Sequence, residues 1–337
     1  MKSKFLIYGI LVLAIIGIIV FLSIYLQPTE QPTELPTEPT LLKIEANPAK
    51  GFHWAYYLYI PGRVWTGENG QTYLLVEPNN SPEPSDDQSY HDSIARETIE
   101  YDGKMVADEL KIPMLVPTFP RPYLLQTRAL TRDTLLTEIE GLERIDLQLI
   151  AMIDDARERL SQKGINVEDK VIMMGFSASG YFTNRFAMLH PERVHAAAIG
   201  GSGGWDTIPL KEWNGTKLRY PVGVWDLESL IGKEFDLETW KTIPLYIYSG
   251  DQDLDPAADP VLWVGEGGLY APEDRDLVLQ YFGNNMTRRW QIIEDMFKSV
   301  GSQARFILYP GVGHEMTDEM LNDVKTFFSE QMARSSD

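Results

Sequence analysis

No cysteine occurs in the 337 residues. That excludes disulfides, thiol nucleophiles and zinc sites built on cysteine. Histidine is scarce too, with five copies, so a reaction that needs an imidazole has few candidates. Positive charge is in deficit: 30 Lys and Arg face 49 Asp and Glu, a formal charge of −19. So acidic a surface argues against nucleic acid as a partner and favours solubility. The glycine run at residues 200–204 lacks the Lys-Ser/Thr of a phosphate loop. The acidic run at 251–259 lacks the twelve-residue order of a calcium hand. No metal and no organic cofactor is expected.

Long apolar runs are missing apart from one. Residues 5–26 are 22 uncharged, nearly all-apolar positions. At helical rise they span roughly 33 Å, about one bilayer core. Lys2 and Lys4 precede the run, and no basic residue follows before Lys43. This predicts an uncleaved single-pass anchor in the cell membrane, with the remainder of the chain on the outer face. A cleaved signal peptide and a secreted product form the rival reading. Against it, Gln27-Pro28-Thr29-Glu30 offers no small-x-small cleavage site. Residues 27–45, rich in Pro, Thr and Glu in their first part, read as an extended spacer that cannot build a core. One globular domain is expected over 46–337.

Within that domain, short apolar runs alternate with amphipathic stretches. Strands are predicted over 54–60, 72–76, 112–117, 171–174, 194–200, 243–248 and 304–309. Helices are predicted over 94–110, 135–160 and 320–328, and another follows Ser177 until Pro191 stops it. This alternation is the signature of a doubly wound, mostly parallel α/β sheet. Two excursions, 205–242 and 260–299, break the pattern and carry Trp213, Trp225, Trp240, Trp263 and Trp290. They read as lid-like insertions over the C-terminal edge of the sheet, where open α/β sheets bind ligands. Phe119, Arg121 and Tyr123, after the third strand, are candidates to line the mouth of the site.

The organising stretch is Val171-Ile172-Met173-Met174-Gly175-Phe176-Ser177-Ala178-Ser179-Gly180. It sets a serine on a tight turn between a buried strand and a helix. Such a turn lifts the hydroxyl clear of the sheet, and the helix N-terminus behind it favours developing negative charge. Here the chain resembles the α/β-hydrolase superfamily, whose nucleophile elbow is Gly-x-Ser-x-Gly. In this chain Ser179 holds the second glycine position and glycine arrives one place later, at Gly180.

The resemblance covers most of residues 46–330. It implies a Ser–Asp–His order along the chain and an acid after the strand at 243–248, commonly as Gly-x-x-Asp. That points to Asp253 in Ser249-Gly250-Asp251-Gln252-Asp253, with Asp251, Asp255 and Asp259 as alternatives. Of the histidines, His53, His91, His190 and His195 precede or lie within regular elements or the acidic excursion. Only His314 lies on a Gly-rich loop after a C-terminal strand, in Pro310-Gly311-Val312-Gly313-His314. The expected catalytic set is therefore Ser177, Asp253 and His314. Oxyanion donors are expected at Ala178 and, from the loop after the second strand, at Asn80, with Asn79 as the alternative. Within the superfamily the chain looks most like secreted serine esterases of the polyhydroxyalkanoate-depolymerase and feruloyl-esterase kind. That implies hydrolysis of a small or polymeric carboxylic ester. A serine peptidase of the same fold and a non-catalytic binding protein are the alternatives.

Overall fold

The computed structural model describes residues 38–202, 205–253 and 270–334. The reading of residues 5–26 as an anchor, and the rival acids Asp255 and Asp259, lie outside them. Among the described residues no helix is long and apolar enough to cross a membrane.

Ten strands are described: β1 (Thr40–Ile44), β2 (Tyr56–Ile60), β3 (Leu75–Val76), β4 (Met114–Pro117), β5 (Val171–Phe176), β6 (Val194–Gly200), β7 (Glu212–Trp213), β8 (Thr216–Lys217), β9 (Leu245–Gly250) and β10 (Arg305–Tyr309). The helices are α1 (Gln88–Thr98), α2 (Lys104–Leu110), α3 (Arg132–Leu136), α4 (Ile145–Ser161), α5 (Ala178–Leu189), α6 (Leu227–Ile231), α7 (Leu237–Trp240), α8 (Pro272–Phe282), α9 (Met286–Ser299) and α10 (Asp318–Arg334). Eight strands form one sheet in the order β1-β2-β4-β3-β5-β6-β9-β10. The first two pairings, β1 with β2 and β2 with β4, are antiparallel. All pairings from β4 to β10 are parallel.

The period of two along each strand divides its side chains between two cores. In β5, Val171 and Met173 pack with Leu149 and Ile153 of α4 and Phe182 and Phe186 of α5. Ile172 and Met174 point the other way, into a cluster with Val106 and Leu110 of α2 and Val324 and Phe328 of α10. With both faces covered, the central strands can be apolar throughout, as the sequence has them. The outcome for Ser177 and His314 is positional. β5, β6, β9 and β10 are parallel neighbours, so the turns that leave them open on the same edge.

Three expectations change. The sheet begins at Thr40, inside the stretch read as spacer, because Leu42 and Ile44 pair with Leu58 and Tyr56 and extend the antiparallel edge. The helix expected over 94–110 breaks at Tyr101, whose φ of −100° and ψ of −112° leave the helical region. The helix expected over 135–160 begins only at Ile145. Gly141 (φ 80°) and Arg144 (φ 45°) adopt left-handed backbone that no helix can run through. Leu142 keeps its predicted burial but from a turn.

The excursion at 205–242 is not a loose flap. It folds as the β7–β8 hairpin with α6 and α7, and Trp205 and Trp240 are wholly buried in it. Trp205 stacks on Phe282 of α8, ring centres 4.4 Å apart.

Candidate active site

The turn between β5 and α5 is held open by its smallest residues. A Cβ on Gly175 would lie 2.3 Å from the Ser179 carbonyl, and one on Gly180 would lie 2.4 Å from the Gly200 carbonyl of β6. Gly180 thus performs the close helix-to-strand approach, which accounts for its arrival one place late. Ser179 is not a passive replacement for glycine. Its Oγ accepts from the Phe176 N–H at 2.9 Å and donates to the Phe176 carbonyl at 2.8 Å, clamping the turn.

Inside this clamp Ser177 has φ 61° and ψ −125°. A non-glycine residue there stores about 1–3 kcal/mol of strain, a cost the surrounding packing must offset. The Ser177 N–H donates to the Gly200 carbonyl at 2.9 Å. Its side chain therefore points away from the sheet edge, and Ala178 opens α5 with an N–H that the helix itself cannot satisfy.

Two further loops bring the partners. After β10, Tyr309 leads through Pro310 and Gly311 (φ 75°) to His314. This loop lies hard against the end of β9: a Cβ on Gly250 would sit 2.0 Å from the Val312 carbonyl. The Asp251 and Gln252 N–H groups donate to the carbonyls of Tyr309 and Val312 at 2.9 and 3.0 Å. The Asp251 carboxylate accepts from the Gly311 N–H at 2.7 Å. Asp251 therefore fastens the histidine loop and does not meet the imidazole.

Asp253 does. His314 Nδ1 lies 3.0 Å from both of its oxygens, and His314 Nε2 lies 2.9 Å from Ser177 Oγ. Ser249 Oγ donates to Asp253 Oδ2 at 3.0 Å, which fixes the carboxylate from behind. The hydrogen bond to Asp253 raises the His314 pKa above its ordinary value, although burial opposes it. The carboxylate is mostly covered, its side chain 11% exposed, while the imidazole is 51% exposed.

The loop after β3 closes the other side. Asn80 Nδ2 donates to the Phe176 carbonyl at 3.0 Å, and Arg128 donates to Asn80 Oδ1 at 3.1 Å. The Asn80 side chain is thus a strut between that loop and the elbow, and an oxyanion donor there would be a backbone N–H. Asn79 donates to the Phe119 carbonyl at 2.8 Å.

The candidates for the mouth fare differently. Phe119 is buried and stacks on Phe182. Arg121 is buried and donates to the carbonyls of Ser81 and Pro82, so it braces the loop. Tyr123 is exposed. Three of the other four histidines are engaged elsewhere: His91 with Ser81, His190 with Asp146, and His195 stacked on Tyr73. Sequence reasoning missed Ser249 and the separate duty of Asp251, since nothing in a run of polar residues marks which side chain turns inward. Among the described residues, no group of His, Asp and Glu is arranged to hold a metal ion.

No protein-family model and no curated protein matches the sequence. Solved structures do match in fold. The poly(aspartic acid) hydrolase-1 of Sphingomonas sp. KT-1 superposes with a TM-score of 0.51 at 16% identity, over 88% of this chain and 97% of that one. A poly(3-hydroxybutyrate) depolymerase from Bordetella parapertussis does so with a TM-score of 0.52 at 16% identity, over 88% and 94%. Together with the strand order and the elbow, these superpositions identify the α/β-hydrolase fold.

Proposed function

We propose that the protein is a serine hydrolase that cleaves carboxylic esters through an acyl-enzyme on Ser177. One observation carries the reading: His314 stands in hydrogen-bond reach of the Ser177 hydroxyl on one side and the Asp253 carboxylate on the other. A serine hydroxyl alone is a weak nucleophile. In the proposed reaction Ser177 Oγ attacks the ester carbonyl while its proton passes to His314 Nε2. Asp253 keeps Nδ1 protonated and offsets the imidazolium charge. The tetrahedral oxyanion accepts from the Ala178 N–H and from one N–H of the loop at Asn80. The alcohol leaves with the proton from His314. Water then gives a proton to His314 and attacks the acyl carbon, and Ser177 recovers its proton as the acid departs.

The fold neighbours are named for hydrolysis of polymers, which supports hydrolysis as the reaction class. Ester hydrolysis is preferred to peptide hydrolysis on the sequence resemblance. The reading of residues 5–26 as an anchor, holding the enzyme on the outer face of a membrane, rests on the sequence alone. Resistance of the membrane-bound protein to alkaline extraction tests it.

A fluorophosphonate probe tests the chemistry. Labelling of the wild-type chain at Ser177, lost in Ser177→Ala, is the expected result. An unlabelled serine marks a binding protein. Short-chain 4-nitrophenyl esters compared with peptide anilides then separate esterase from peptidase.

A further inference from the structure

Behind the elbow, where α5 meets the chain leaving β6, buried polar groups converge without satisfying one another in full. Asp206 is 1% exposed; Ser202 is near enough to pull its pKa down, yet neither carboxylate oxygen has a hydrogen bond of good geometry. Arg185 is fully buried. Its Nη1 donates to the Ala129 carbonyl at 2.6 Å, whereas Nε and Nη2 make no hydrogen bond of good geometry, although the Tyr270 hydroxyl lies near the guanidinium. Ser202 Oγ and Asn184 Nδ2 are buried and likewise lack a well-formed hydrogen bond. Polar groups left in this condition are costly, more so if charged. So many at one place is the mark of a site made for a polar guest.

The chemistry of the guest follows from the donors. Nε and Nη2 form the side-on fork with which guanidinium takes a carboxylate by two parallel hydrogen bonds. The Asn184 amide and the Ser202 hydroxyl add donors. Below pH 7 Asp206 is mostly protonated and does not repel an anion, because burial pushes its carboxyl up to about 7 against the opposing pull of Ser202 and Arg185. Protonated, it is a fifth donor.

The place of the guest follows from the helix. Ser177, Tyr181 and Arg185 occupy successive turns of one face, and helical side chains lean toward the N-terminus. The guanidinium lies 5.0 Å from the centre of the Tyr181 ring and 5.3 Å from that of Tyr270. Eight residues of helix are roughly 12 Å, which the Arg185 side chain shortens by reaching back. Ser202 is two residues past Gly200, the acceptor of the Ser177 N–H.

We infer that Arg185, Asn184, Ser202 and Asp206 form a subsite for a carboxylate carried by the substrate, separated from the scissile carbonyl by several methylenes. The favoured substrate is then a monoester of a dicarboxylic acid, cleaved with its free acid end held beside α5. The assignment rests on the ester-hydrolase reading. Tyr181 and Tyr270 close over the subsite, Tyr270 by donating to the Trp205 carbonyl, so the guest enters when one of these rings turns.

The test uses the whole chain and 4-nitrophenyl monoesters of glutaric, adipic and suberic acids, each beside its methyl-capped neutral counterpart. At pH 6.5 the free-acid ester is expected to exceed its capped partner in kcat/KM by roughly 10- to 100-fold at one chain length. Arg185→Gln should bring that ratio close to one, and Ser202→Ala should reduce it several-fold. Between pH 6 and 8.5 the ratio should fall as Asp206 ionises, and Asp206→Asn should abolish the fall. Among the described residues the charged group facing Asp206 is Arg185; Tyr270, also close, has its own ionisation pushed well up by burial.

A ratio of one or below at every chain length, with capped esters turned over, overturns the subsite and leaves the hydrolase standing. If no ester reacts and the fluorophosphonate fails to label Ser177, the hydrolase reading falls, and thermal denaturation with adipate judges the subsite by itself. A saturable rise in Tm, absent in Arg185→Gln or, should that variant not fold, in Ser202→Ala, supports it. No rise refutes it and leaves the cluster to internal water.

Discussion

Asp251 and Asp253 are two residues apart and chemically identical, yet their surroundings give them opposite duties. Asp251 accepts from the Gly311 backbone, while Asp253 faces the imidazole with Ser249 at its back. Under the proposed mechanism Asp253→Asn should lower kcat by roughly four orders of magnitude, since the wrong imidazole tautomer would face Ser177. Asp251→Asn should lose only a loop tether, with kcat reduced less than about tenfold. Steady-state kinetics of the two variants on one nitrophenyl ester decides between these assignments. The pH profile carries a sign as well. His314 must be neutral to take the Ser177 proton, so activity falls as pH drops through its pKa. Because Asp253 raises that pKa, the acidic limb of kcat/KM should have its midpoint above the ordinary histidine value of 6.5. A midpoint below 6 contradicts the hydrogen bond on which the mechanism depends.

At the scale of elements, the site is a consequence of how closely α5 can lie on β6. Gly180 permits that approach and Ser179 clamps the turn before it, so the elbow's altered glycine spacing still yields the tight turn. Gly180→Ala pushes a methyl into the Gly200 carbonyl. It should cost at least about 2 kcal/mol in denaturant unfolding and also lower kcat, because the whole elbow must shift. If Gly180→Ala unfolds like the wild type, the helix-to-strand contact is looser than 2.4 Å implies. The elbow was legible in sequence because small residues crowd into one turn there. The break at Tyr101 and the late start of α4 were not. Apolar spacing around Leu142 fits a helix, and only the left-handed backbone at Gly141 and Arg144 excludes one.

Across the whole molecule, one buried charge cluster joins the two helices that flank the elbow strand. His190, just past α5, lies 2.8 Å from Asp146 of α4, which Arg144 also holds with two hydrogen bonds. Burial works against the charge on both residues. Their mutual hydrogen bond prevails, so His190 is raised and Asp146 lowered. A raised histidine pKa contributes stability in full below its unfolded value of 6.5 and loses it as pH rises through the folded value. The lowered aspartate contributes above its unfolded value of 3.8 and loses that only in stronger acid. Asp146→Asn should therefore destabilise by about 3–5 kcal/mol near pH 6, where both charges are present, and by less at pH 9. Urea unfolding at the two pH values checks the sign.

What the sequence by itself determined was local: which runs bury themselves as strands, where small residues permit an elbow, and which histidine rides a Gly-rich loop at the end of the last strand. Those follow from periodicity and from residue volume, properties each segment carries alone. Which aspartate meets His314, that residues 40–44 join the sheet, and that Arg185 and Asp206 share one buried place were decided by tertiary structure. Each depends on which surfaces come together when β6, β9 and β10 lie side by side, and no single segment encodes its partner.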